Sequence, residues 1–78
     1  MTKDEKMKAV KQGRTVLRAQ FNWRNEIWII VEYTAIRGGW RKWDSSNHYV
    51  MYDPKSRESC ENVIDKLAAS DPKIVHDK

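Results

Sequence analysis

Residues 14–36 read RTVLRAQFNWRNEIWIIVEYTAI, and how this stretch folds back on itself decides the architecture. In its first half the odd positions Thr15, Leu17, Ala19, Phe21 and Trp23 are mostly apolar, while Arg14, Arg18, Gln20, Asn22 and Arg24 share the other face with Val16. A period of two belongs to a strand with one buried side. From Glu26 to Ile36 both faces are apolar: Ile27, Ile29, Val31, Tyr33 and Ala35 on one, Trp28, Ile30 and Ile36 with Glu26, Glu32 and Thr34 on the other. That mixture of β-branched and aromatic residues suits a central strand. A three-residue loop Trp23-Arg24-Asn25 sets Asn22 opposite Glu26 and joins the odd faces, Phe21 with Ile27, Ala19 with Ile29 and Leu17 with Val31. A two-residue loop pairs the apolar face with the wrong side. The favoured register leaves Arg18 opposite Ile30 and Gln20 opposite Trp28, a second face that is basic and aromatic at once.

Upstream, Thr2 with Glu5 makes a capping-box signature and Gly13 stands where a helix ends in a left-handed residue, so a short helix is expected over residues 3–12. Its apolar stripe is thin, with Met7 and Val10 on one face and Lys3, Lys6, Lys8 and Lys11 around most of the rest. Downstream, Gly38-Gly39 and Asp44-Ser45-Ser46-Asn47 are turn signals on either side of a strand or loop tip at 40–43. HYVMYD (48–53) is the next expected strand, and Asp53-Pro54 opens a second helix, Pro suiting the first helical position. Cys60, Val63, Ile64, Leu67 and Ala68 recur at i, i+3, i+4, i+7 and i+8, and Ser70-Asp71-Pro72 ends the run. The expectation is one α+β domain over residues 1–78, in which three or four antiparallel strands lie between two helices in sequence and the second helix covers the odd face to make two layers.

At 78 residues a single core is marginal without a staple. One cysteine makes no intrachain bridge, no Cys/His cluster has metal-ligand spacing, and no cofactor motif is present; Gly38-Gly39 lacks the lysine and helix start of a phosphate loop. Cys60 reads as a small core residue. Without a membrane-length apolar run or a leader-like N-terminus, a soluble cytoplasmic protein is expected. Charge is uneven: residues 1–43 carry ten Lys/Arg against four Asp/Glu, a net of +6, and residues 44–78 carry five against seven, a net of −2. The basic part also holds all four tryptophans, and that overlap points to a polyanionic partner.

The helix-strand-strand-strand-helix order resembles that of double-stranded RNA-binding domains across most of the chain, without the Lys-rich start of that family's last helix: here Lys55 and Arg57 are followed by Glu58 and Glu61. The stretch SSNHYVMYDPKS (45–56) is similar to the short His-bearing strand and Pro turn of small toxin ribonucleases of that fold, which implies His48 as the acid/base of an RNA-cleaving alternative. As a whole, the short, Lys-, Trp- and Tyr-rich chain is similar in style to accessory proteins of large tailed bacteriophages. That resemblance implies a host-cytoplasmic inhibitor of an RNA-based defence such as a toxin–antitoxin ribonuclease, with a host protein as a further partner.

In RGGWRKWD (37–44), Trp40 and Trp43 stand beside Arg37, Arg41 and Lys42. With Phe21, Trp23 and Tyr33 assigned to the core, Trp28, Trp40 and Trp43 are in excess of what a small core needs. Aromatic rings interleaved with cations stack bases and attract phosphates, and unpaired RNA offers splayed bases. The expected function is non-enzymatic RNA binding through Arg14, Arg18, Trp28, Arg37, Trp40, Arg41, Lys42 and Trp43. The alternative for the same rings is a protein interface, with Trp28 and Ile30 buried in a homodimer or against a partner.

Overall fold

The computed structural model describes residues 1–46 and 56–78. Its elements are α1 (Lys3–Lys11), β1 (Thr15–Asn22), β2 (Ile27–Ile36), β3 (Gly39–Asp44), α2 (Arg57–Ser70) and β4 (Ile74–His76), and the strands form a sheet in the order β3-β2-β1-β4. The fold is α+β. β1, β2 and β3 are antiparallel as expected, but β4 joins the outer side of β1 in parallel, so the sheet is mixed. The strand expected at 48–53 lies outside the described residues. No described helix is long and apolar enough to cross a membrane.

The hairpin register differs from the expected one by one residue. Asn22 pairs with Ile27, leaving a four-residue turn, Trp23-Arg24-Asn25-Glu26, so Phe21 meets Trp28, Ala19 meets Ile30 and Val16 meets Tyr33. A one-residue slip exchanges every face relation. Here it yields two apolar faces in place of one apolar and one basic. Leu17, Ala19 and Ile30 pack with Cys60 and Ile64 of α2; Val16, Ile29, Val31 and Tyr33 pack with Ala9 and Val10 of α1. The helices therefore lie on opposite sides of the sheet, giving three layers rather than two. Both helices then have an apolar surface to cover, which the expected register denied to α1. The slip costs something at the turn, because Glu26 sits at φ 55°, a left-handed conformation that a side chain disfavours.

Local chemistry fixes the helix ends. Thr2 and Glu5 form the reciprocal capping box, with Glu5 N–H donating to Thr2 Oγ1 at 3.2 Å and Thr2 N–H to Glu5 Oε1 at 3.1 Å. The Thr2 backbone N–H, with its hydroxyl in support, holds the Glu5 carboxyl below its ordinary pKa. α2 starts later than expected: Ser56 is its cap, its Oγ accepting from Ser59 N–H at 2.9 Å. Ser45 and Ser46 do more than turn the chain. Ser45 N–H and Oγ–H donate to the Ile30 carbonyl at 2.9 and 3.1 Å, and Ile30 N–H donates to Ser46 Oγ at 3.0 Å, so the two serines continue the ladder on β2 where β3 leaves it.

Candidate nucleic-acid interface

The side of the sheet carrying α1 collects aromatic rings and cations. Tyr33 and Trp40 meet edge-to-face, centroids 4.6 Å apart, and Lys6 Nζ lies 4.8 Å from the Tyr33 centroid and 5.5 Å from that of Trp40. Lys6 bridges from these rings to Asp77, whose Oδ2 is 3.5 Å away; the N-terminal ammonium reaches Asp77 Oδ1 at 3.1 Å and Arg18 Nη1 reaches Oδ2 at 3.8 Å. The carboxylate is almost wholly buried, so this triple pairing stabilises α1 on the sheet.

Beside the pair, Lys3, Met7, Gly38, Gly39 and Trp40 line an open cleft of about 330 Å³ between α1 and the β2–β3 turn. Gly38 adopts φ +86°, which only glycine takes without strain, and nothing stands within 4 Å of where a Cβ would be on either glycine. The turn backbone is thus open to a ligand. Arg37 at the same turn is exposed. α1 carries four lysines against Asp4 and Glu5, whereas α2 carries Arg57 and Lys66 against Glu58, Glu61 and Asp65. Of the two helices, α1 is therefore the one with a net positive charge.

The expected site residues divide between the two faces. Trp40 and Lys42 are on the α1 side, Lys42 Nζ reaching across β2 to donate to Gln20 Oε1 at 3.0 Å, and Arg18 joins them through Asp77. Arg41 and Trp43, in register with Thr34 and Glu32, point to the α2 side. Trp28 also lies there, half-buried against Phe21 and under the Arg57 guanidinium at 6.0 Å. The expected grouping of Trp28 with Arg18 and Gln20 does not occur, since the shifted register puts them on opposite faces. Arg14 stands apart at the β1 start, where its Nη2 donates to the Pro72 carbonyl at 3.5 Å. His48 lies outside the described residues. The feature that pointed to a homodimer, an uncovered face holding Trp28 and Ile30, is also gone: Ile30 is fully buried under α2.

Two groups escaped the sequence reading. Trp23, assigned to the core, is 83% exposed at the hairpin turn. His76 of β4 is a buried imidazole whose Nδ1 lies 2.6 Å from Asp65 Oδ1, and that hydrogen bond draws the Asp65 carboxyl below its ordinary pKa. The place of Trp23 in the expected hairpin loop was the signal that could have found it; His76 had none, because it needs the parallel β4. Comparison with known proteins finds no matching family model, no similar curated protein and no similar solved structure.

Proposed function

We propose that the protein binds RNA without cleaving it, through the α1 side of the sheet. The observation that carries this reading is the cleft between α1 and the β2–β3 turn, where the Trp40 ring stands beside Lys3, Lys6 and an open Gly38-Gly39 backbone. An aromatic face stacks a base regardless of sequence, flanking ammonium and guanidinium groups neutralise phosphates, and the side-chain-free Gly38-Gly39 turn leaves room for a phosphate to come close. Trp40, Lys3, Arg37 and Lys42 are the working residues of this reading, with Lys6 holding Trp40 in place; Arg41, Trp43 and Trp28, on the far face, are not.

Titration of labelled single-stranded RNA at several salt concentrations tests it. Affinity falls steeply between about 50 and 200 mM salt if several phosphates are neutralised. Trp40→Ala weakens binding by about 1–3 kcal/mol, and the RNA runs intact on a denaturing gel. Absence of binding at low salt contradicts the reading, and fragments in the wild-type lane replace it with the ribonuclease.

A further inference from the structure

The β1–β2 hairpin ends in an unusual way for so small a protein: the most exposed large hydrophobic side chain among the described residues is a tryptophan packed edge-on against a neighbouring ring. Trp23 meets Phe21 nearly perpendicularly at 4.8 Å, and Phe21 in turn meets Trp28 at 5.6 Å and 70°. The Arg57 guanidinium lies over Trp28, so the chain of rings is anchored at its inner end. The turn itself is pinned by Arg24 N–H donating to Asn22 Oδ1 at 3.1 Å. With 83% of the residue exposed, at least one indole face is open to solvent, and burial in the core is not its role.

The surroundings tell what the ring faces. Gln20, Phe21, Asn22, Trp23, Arg24 and Ile29 line a shallow concavity of about 390 Å³. Gln20, Asn22 and Ile29 belong to the α1 side of the sheet and Phe21 to the α2 side, so the concavity wraps the end of the hairpin, and Lys42, tied to Gln20, links it along the α1 side to the Trp40 cleft. Lys42 and Arg24 flank it with positive charge, against Glu26 at the end of the turn. The side-chain amides of Gln20 and Asn22 offer both donors and acceptors to a base edge. From Ala35, opposite Trp40, to Ile27 at the turn is on the order of 25 Å along β2 at roughly 3.3 Å per residue. A strand bridging the two rings falls in the range of a few nucleotides, within the usual site sizes of about 4–16.

We propose that Trp23 is a second base-stacking site, which takes an unpaired nucleobase of the RNA strand held on the α1 side, and that the protein therefore prefers single-stranded or looped RNA to duplex. This deepens the RNA reading and rests on it. In a duplex the base faces are occupied by their neighbours, so the indole has nothing to stack on; in a single strand one base swings onto it while phosphates run past Lys42 toward the Trp40 cleft.

The test uses the full chain with two probes, an oligouridine of about 12 nucleotides and a blunt RNA duplex of about 12 base pairs. Wild type, Trp23→Ala and Trp23→Phe are compared, with thermal unfolding as the control that an exposed substitution leaves the fold intact. The expected result is a loss of oligouridine affinity of roughly 5- to 150-fold in Trp23→Ala, partial recovery in Trp23→Phe, and no change on the duplex. Equal oligouridine affinity in wild type and Trp23→Ala overturns the proposal while leaving RNA binding standing, and equal losses on both probes overturn it as well. Failure of the wild type to bind either probe at low salt removes the RNA reading itself. Unchanged RNA affinity with a lowered mass by light scattering would make the tip a self-association surface instead.

Discussion

The two sides of the sheet are built on different physics. Under α2 the fully buried contacts are aliphatic and closed, with Trp28, Phe21 and Arg57 at their margin: Leu17, Ile30, Cys60 and Ile64 are fully buried, and Ser45 and Ser46 seal the adjoining backbone. Under α1 the buried surface is smaller side chains and one aromatic pair, and the helix is tied down by cations converging on Asp77 and on the Tyr33 and Trp40 rings. Aliphatic burial contributes about 1.5–3 kcal/mol per Leu or Ile side chain and is indifferent to salt. Ion pairs and cation–π contacts contribute less and leave charge near the surface. The comparison teaches a difference of build: the α2 side rests mainly on aliphatic burial, and the α1 side keeps more charge near the surface, which the proposed RNA binding would use.

The largest expected effects break the α2 side. Ile64→Ala should destabilise by about 2–5 kcal/mol in denaturant titration, because a fully buried side chain leaves a cavity. Val10→Ala on the α1 side removes less buried volume and should cost less than half as much; equal losses would erase the asymmetry. Next comes Asp77→Asn, which removes the buried negative charge shared by the N-terminal ammonium, Lys6 and Arg18 and should cost about 1–3 kcal/mol. Its effect should shrink as salt rises, whereas that of Ile64→Ala should not.

Glu26→Gly carries the opposite sign. Relief of the left-handed backbone should outweigh the extra chain entropy of glycine and stabilise the hairpin by about 0.5–1 kcal/mol, seen as a raised unfolding midpoint. The smallest effect is an acid-side one on the α2 face. Asp65 has a folded pKa below its unfolded value because His76 hydrogen-bonds its carboxylate. Its stabilisation is complete above the ordinary carboxylate range and is lost as pH falls through the lowered value, below about pH 4. Asp65→Asn should therefore flatten that part of the stability–pH curve, and an unchanged slope would deny the pair any role.

Much of the architecture was legible in the chain. Thr2 and Glu5 do cap a helix, the two hairpin strands and β3 are where period and glycines place them, and the Cys60–Ile64 stripe packs on the sheet. Register was not legible, because matching the two odd faces selected a three-residue loop, whereas the fold pairs the odd face of β1 with the even face of β2, the pairing set aside with the two-residue loop, through a four-residue turn with Glu26 left-handed. What overrides it is tertiary: two helices reward two apolar faces. β4 escaped because three residues after a proline carry no periodicity, and with it went His76–Asp65 and the Asp77 cluster. The site suffered most from the register, since a slip of one separated Trp28 from Arg18, while Trp23, a turn residue in either register, is exposed and does not pack in the core.

The most direct measurement of the account is the salt dependence of RNA affinity in face-specific charge variants. Lys3→Ala combined with Arg37→Ala, both beside the Trp40 cleft, should weaken oligouridine binding and flatten the plot of log affinity against log salt by roughly 0.7 per cation removed. Lys66→Ala, on the α2 side, should leave affinity and slope as in the wild type. Equal changes from both faces, or a slope unmoved by the loss of Lys3 and Arg37, would contradict an RNA interface on the α1 side.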